Sequence, residues 1–190
     1  EEVTRFVSRL FAEADPSARN PRDVSALDLL AQGREAAERE LTEQPGVLGR
    51  VLQVIGTSYA ELGDLGSARE LLERSLALQP DSAVVEAIAD TWLTLADLHR
   101  KLADYEAANA ALDSAQAAYE ISDTDSRHWL ADLLNSRANL SFAQQNFREA
   151  EALHREAFEL REKTLGPQAR ETGVSANNVA ARLIMQRDRA

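Results

Sequence analysis

At 190 residues, with 44% hydrophobic and 28% charged side chains, the chain has the balance of an ordinary globular protein. Its formal charge of −11 at pH 7 argues against binding nucleic acid or an anionic membrane surface, since both attract cationic faces. With no cysteine there can be no disulfide, thiolate nucleophile or cysteine-ligated zinc, and no apolar run approaches the roughly 18 residues of a membrane span.

Five prolines and eight glycines in a background of Ala, Leu, Glu, Arg and Gln predict helices throughout, because those residues lose little on entering a helix. Phe6, Leu10 and Phe11 form a first apolar stripe, ended by Asp15-Pro16 and Asn20-Pro21. A second helix starts near Val24, Leu27 and Leu30 and runs to about Glu43, stopping at Pro45-Gly46. A third spans 47–62 and turns at Gly63-Asp64. A fourth covers 65–78 and ends at Pro80, with Asp81 or Ser82 as the next N-cap. The same pairing recurs as about 83–102 with 105–120, then as about 126–145 with 147–164. Gly166-Pro167 ends the last of these, and a ninth helix is expected over about 169–187. No strand pattern and no signal peptide is visible. The chain opens at Glu1 and stops at Ala190 inside a pattern, which reads as a piece of something longer.

The helices repeat. Ala26, Ala68, Ala108 and Ala150 recur every 40 to 42 residues, each followed seven residues later by Gly33, Ser75, Ala115 or Ala157. Gly56, Ala96, Ala138 and Ala180 form a third series with the same period. A fixed period of this length marks a solenoid, in which small residues fall where neighbouring helices must approach closely. The large apolar residues fill the remaining volume: Leu52, Ile55, Tyr59 and Leu72, then Trp92, Leu95, Tyr105 and Leu112, then Leu134 and Phe147.

This arrangement resembles the tetratricopeptide repeat, with Leu52, Trp92 and Leu134 at position 4, the Gly56 series at 8, the Ala68 series at 20 and the Ser75 series at 27. The extra length beyond the usual 34 residues, and the stretches Arg161-Glu-Lys-Thr-Leu-Gly-Pro167 and Ser175-Ala-Asn-Asn-Val-Ala180, are similar to the kinesin light chain type. Phe6–Pro16, Val24–Leu30 and Glu38–Pro45 resemble the start of the repeat region in large bacterial serine/threonine protein kinases, where it follows a kinase domain and a spanning helix. None of the kinase's own motifs is here. The resemblance implies an all-α, right-handed tetratricopeptide solenoid of about nine antiparallel helices, forming one domain over 1–190. Its parts would be a degenerate pair at 1–45, repeats at 46–80, 81–122 and 123–166, and a partial or capping repeat at 167–190. Two departures stand out. Arg137 occupies the normally apolar position 7 and needs a partner, and His99 and His154 stand where aromatics are usual.

Chemistry is scarce. His99, His128 and His154 are the only histidines, and none pairs with another at ligand spacing. No metal, cofactor or catalytic residue is expected, with His99 and His154 packing between helices and His128 on the surface. Carboxylates such as Asp113, Glu149 and Glu151 read as solvated charge. The chain is therefore expected to be a non-catalytic scaffold for a protein or peptide partner. In a tetratricopeptide solenoid the first helix of each repeat lines the concave face. Those positions hold Arg50, Gln53, Val54, Thr57 and Glu61, then Asp90, Thr94, Asp97, Arg100 and Lys101. After them come Asn135, Ser136, Asn139 and Phe142, then Asn177, Asn178 and Ala181. Arg50, Gln53, Thr57, Thr94, Asp97, Arg100, Asn135, Asn139, Asn177 and Asn178 are the candidate peptide contacts. The four asparagines lead, because an amide pairs with both donor and acceptor of a peptide backbone. The competing reading is that they are simply hydrated.

A carboxylate-gripping co-chaperone clamp is disfavoured, since Asp90 and Thr94 stand where Lys and Arg would be required. A sensor holding a small ligand inside the superhelix is the alternative function, and a structural spacer a third. Val174, Val179, Leu183, Ile184 and Met185 on the last helix lack a partner helix, so self-association through residues 170–187 is expected. The expected location is cytoplasmic, or tethered to the bacterial inner membrane if the parent is a spanning kinase.

Overall fold

The computed structural model describes residues 25–79, 85–121 and 128–187, with the backbone alone over 182–187. Eight helices run through them: α1 (Ala26–Glu40), α2 (Pro45–Glu61), α3 (Leu65–Leu78), α4 (Val85–Lys101), α5 (Tyr105–Ile121), α6 (His128–Ala143), α7 (Phe147–Leu165) and α8 (Arg170–Arg187). No strand occurs among the described residues. The stripe at Phe6 to Phe11, and the Asp81 or Ser82 cap, lie outside them.

One boundary differs instructively from the sequence expectation. Pro45 opens α2 rather than stopping α1, which ends at Glu40. Proline suits the first turn of a helix, where its missing N–H would have no intrahelical acceptor anyway. Ser25 and Asp28 start α1 with a reciprocal capping box, the Asp28 N–H donating to Ser25 Oγ at 3.1 Å and the Ser25 N–H to Asp28 Oδ2 at 2.9 Å.

The chain gathers into two compact units, 1–91 and 92–190, whose boundary falls within α4. In the first, α2 and α3 pack as an antiparallel pair. A Cβ built on Gly56 would lie 3.0 Å from Leu72 Cγ and 3.2 Å from Leu71 Cβ, and one on Gly49 would lie 3.1 Å from the Ser75 carbonyl oxygen. The missing side chains are what let the helices come this close. Val51, Leu52, Leu71 and Leu72 are fully buried around the contact, with Ile55 and Tyr59 nearly so.

In the second unit, Ala108 and Ala115 on α5, Ala138 on α6, and Ala150 and Ala157 on α7 are all fully buried. Tyr119 stacks on Trp129 with centroids 4.5 Å apart, joining α5 to α6. Of the twelve small residues that carry the period, only Ala26 and Ala180 are exposed.

The turn inside each repeat is built the same way three times. Asp64 N–H bonds the Tyr59 carbonyl, Asp104 N–H that of His99, and Asn146 N–H that of Ser141, at 2.8–3.0 Å. The residue before each, Gly63, Ala103 or Gln145, has φ of 88°, 59° or 67°. This is a left-handed helix stop, in which the six-residue bond closes over the last turn.

Candidate functional site

The predicted contacts fall into two sets, one in each unit. On α2 of the first unit, Arg50 is exposed and Thr57 half-buried. Gln53 is already engaged within the fold. Its Nε2 donates to the Ala87 carbonyl on α4 at 3.1 Å, tying the first helices of consecutive repeats together.

In the second unit the first helices are α4, α6 and α8. Asp97 on α4 receives Arg100 Nη2 at 2.6 Å and Nε at 3.1 Å on Oδ1, and Lys101 Nζ at 2.9 Å on Oδ2. Both cations come from its own helix, three and four residues on, the spacing that brings side chains to one face. Burial pushes the Asp97 carboxyl up, but the hydrogen bonds and charges of Lys101 and Arg100 outweigh it and hold the group below the usual carboxylate range.

Across from Asp97 lies Asn139 on α6, its counterpart one period on. Asp97, Arg100, Ser136 and Asn139 rim a small, partly open hollow floored by Ala96, Leu112 and Leu140. Farther along, Asn178 Nδ2 on α8 donates to Asn135 Oδ1 on α6 at 2.8 Å. The structure thus joins Asp97, Arg100 and Asn139 around one hollow and makes a pair of Asn135 and Asn178. Exposed Asn177 belongs to neither group, and Thr94 is half-buried on α4.

The histidines and Arg137 also find their places. His154 is 1% exposed within α7. His99 is half-buried, with Nδ1 3.6 Å from Asp104 Oδ2. His128 opens α6, and its side chain lies outside the described residues. Arg137 reaches outward from α6 to Asp113 Oδ1 at 2.8 Å and Gln116 Oε1 at 3.0 Å on α5, which provides for the cation at an apolar position.

Sequence reasoning missed the most buried polar connection in this unit. Arg161 on α7 is 7% exposed, and it donates to Asp132 on α6 and to Ser175 Oγ on α8. Arg161 and Ser175 both lie in the stretches that resemble a repeat junction. What was missing was any signal that Asp132 would face them. Among the described residues no group of His, Asp or Glu is arranged to hold a metal ion, and no helix is long and apolar enough to cross a membrane.

Two stretches, residues 49–82 and 130–168, match tetratricopeptide repeat family models. No curated protein matches the sequence. Among solved structures the chain is similar to the crystal structure of BtubC (BKLC) from P. vanneervenii, with a TM-score of 0.67 and 19% identity over 86% of this chain and 68% of that one. The chain therefore carries two stretches similar to tetratricopeptide repeats, within an all-α fold of the solenoid type. Such repeats generally mediate interactions between proteins, and they are typically not catalytic.

Proposed function

We propose that this chain is a non-catalytic interaction scaffold, and that its second unit captures an extended stretch of a partner polypeptide along the face of α4, α6 and α8. The observation that carries this is the hollow rimmed by Asp97, Arg100, Ser136 and Asn139. It is far smaller than the roughly 300–1,000 Å3 of sites that enclose a small ligand. An apolar floor under a polar rim suits a small group of a longer chain lying across it. This weighs against the small-ligand sensor.

The amide pair adds to the reading. An asparagine offers two donors and an acceptor with two lone pairs. The Asn135–Asn178 bond consumes one donor of Asn178 and one lone pair of Asn135, leaving both Asn135 donors and the Asn178 oxygen for a peptide backbone. Peptides selected from a random display library on the wild-type chain should bind the Asn135→Ala/Asn139→Ala/Asn178→Ala variant at least about tenfold more weakly, a loss corresponding to one or two hydrogen bonds. The melting temperature should change little. Undiminished binding would refute the assignment of this face.

The proposal extends to the parent protein: a larger bacterial signalling protein such as a serine/threonine kinase, in which this region recruits or regulates. Its support is the resemblance of Phe6–Pro16 and the stretches after it, the first of which lies outside the described residues. A reading frame that encodes a kinase domain and a spanning helix ahead of Glu1 would support it, and one that encodes neither would overturn it.

Two copies are also proposed to associate through residues 170–187, supported by exposed Val174, Ala176, Ala180 and Ala181 on α8. Sedimentation equilibrium should show a mass that rises with concentration, and Val174→Glu with Ala180→Glu should abolish the rise. A monomer at high concentration with α8 still helical refutes it.

A further inference from the structure

Asp132 and Ser175 are 43 residues apart, and so are Asn135 and Asn178. Each amide follows its clasp residue by three positions, which is about 4.5 Å along a helix. Two polar rungs therefore join α6 to α8 one turn apart: Asp132–Arg161–Ser175, then Asn135–Asn178. Only the first is reached from a third helix, because Arg161 belongs to α7.

The two rungs differ in strength. The Arg161 side chain is 8% exposed, so its charge has lost most of its water and depends on its partners. A planar guanidinium has donors in a fixed fork and can hold a carboxylate and a hydroxyl in set directions. Ser175 is 1% exposed and has little water to turn to if Arg161 is removed. The amide pair is a single neutral hydrogen bond between half-buried side chains, a contact of modest net value.

We infer that Arg161 is a positioning residue: by clasping Asp132 and Ser175 it sets the register of α8 against α6, and so brings Asn178 into bond with Asn135. The dependence runs one way. Loss of the clasp releases the amide pair, whereas loss of the amide pair leaves the clasp closed. That register also sets how Asn135 and Asn178 present their remaining donors and acceptor, and this consequence rests on the binding face proposed above.

The test uses the full chain, 15N-labelled, with the Asn178 side-chain amide assigned by its disappearance in Asn178→Ala. In Ser175→Ala, which removes one arm of the clasp and leaves a small buried residue, the Asn178 amide should shift toward its solvent-exposed position. Backbone amides of α8 should exchange roughly fivefold faster or more. Arg161→Lys should do the same, since an ammonium cannot reproduce the fork. Asn135→Ala should leave α8 backbone exchange unchanged. If the Asn178 amide and α8 protection survive in both Ser175→Ala and Arg161→Lys, or if Asn135→Ala loosens α8 as much as they do, the inference is wrong. Arg161→Met need not fold for the question to be decided, because Ser175→Ala carries it. A released Asn178 with undiminished peptide affinity would uphold the clasp and count against the binding face instead.

Discussion

Gly56 and Gly173 both lie within helices, yet replacing each with alanine should shift stability in opposite directions. In a helix interior the change Gly→Ala gains about 0.8–1 kcal/mol from backbone entropy alone. At Gly173 on α8 nothing lies within 4 Å of a built Cβ, so that gain should appear almost whole, at about 0.5–1 kcal/mol. At Gly56 the new methyl would meet Leu72 Cγ at 3.0 Å and Leu71 Cβ at 3.2 Å. Neither atom is the free end of a flexible chain, and both leucines are fully buried. The helices α2 and α3 would have to part by a few tenths of an ångström, and overpacking of this kind costs about 1–3 kcal/mol. The balance at Gly56 is thus a loss of about 0–2 kcal/mol, and the two variants should differ by about 0.5–3 kcal/mol. Because the chain forms two compact units, a single melting curve need not report one transition. Amide hydrogen exchange is the better assay, read in α2 and α3 for Gly56→Ala and in α8 for Gly173→Ala. If Gly56→Ala raises protection as much as Gly173→Ala does, small residues at that position are not there to permit close helix approach.

Asp97 should contribute to an acid limb of stability. Its carboxyl sits below the ordinary value near 3.9, so as pH falls the unfolded chain takes up that proton before the folded one. The stabilisation is whole above about pH 5 and is lost as pH falls through the folded-state pKa. Asp97→Asn should flatten this part of a stability–pH profile measured by urea unfolding, and an unchanged profile would refute the role. At the repeat turns, Ala103 and Gln145 occupy a left-handed conformation that costs a side chain about 1 kcal/mol or more. Ala103→Gly and Gln145→Gly should each stabilise by a few tenths to about 1 kcal/mol in urea midpoint, after the entropy that glycine adds to the unfolded chain. Destabilisation by both would count against that account of the turns.

Most of the fold was legible because packing leaves a periodic trace. Helices that must touch need small residues at the crossing, and ten of the twelve small residues are buried where the period puts them. Even α3 came out with its observed limits, 65–78, since the turn residues Gly63-Asp64 and Pro80 bracket that stretch of the sequence. The site was less legible, because a face position says only that a side chain points outward from its own helix. Whether it then meets solvent or a neighbour depends on the offset between successive first helices, and the period alone does not set that offset to within a hydrogen bond's reach. Gln53 illustrates this. Its position marked it as a peptide contact, but the repeat that follows brings the Ala87 carbonyl within 3.1 Å and employs the amide there. Asn135 and Asn178 extend the case: under the clasp inferred above, their pairing depends on Arg161, a residue on a different helix that a survey of groove positions does not consult. In the arrangement proposed above, then, the residues that present the binding face and those that set its geometry occupy different helices. A variant on α7 should be able to change what α6 and α8 recognise without touching either.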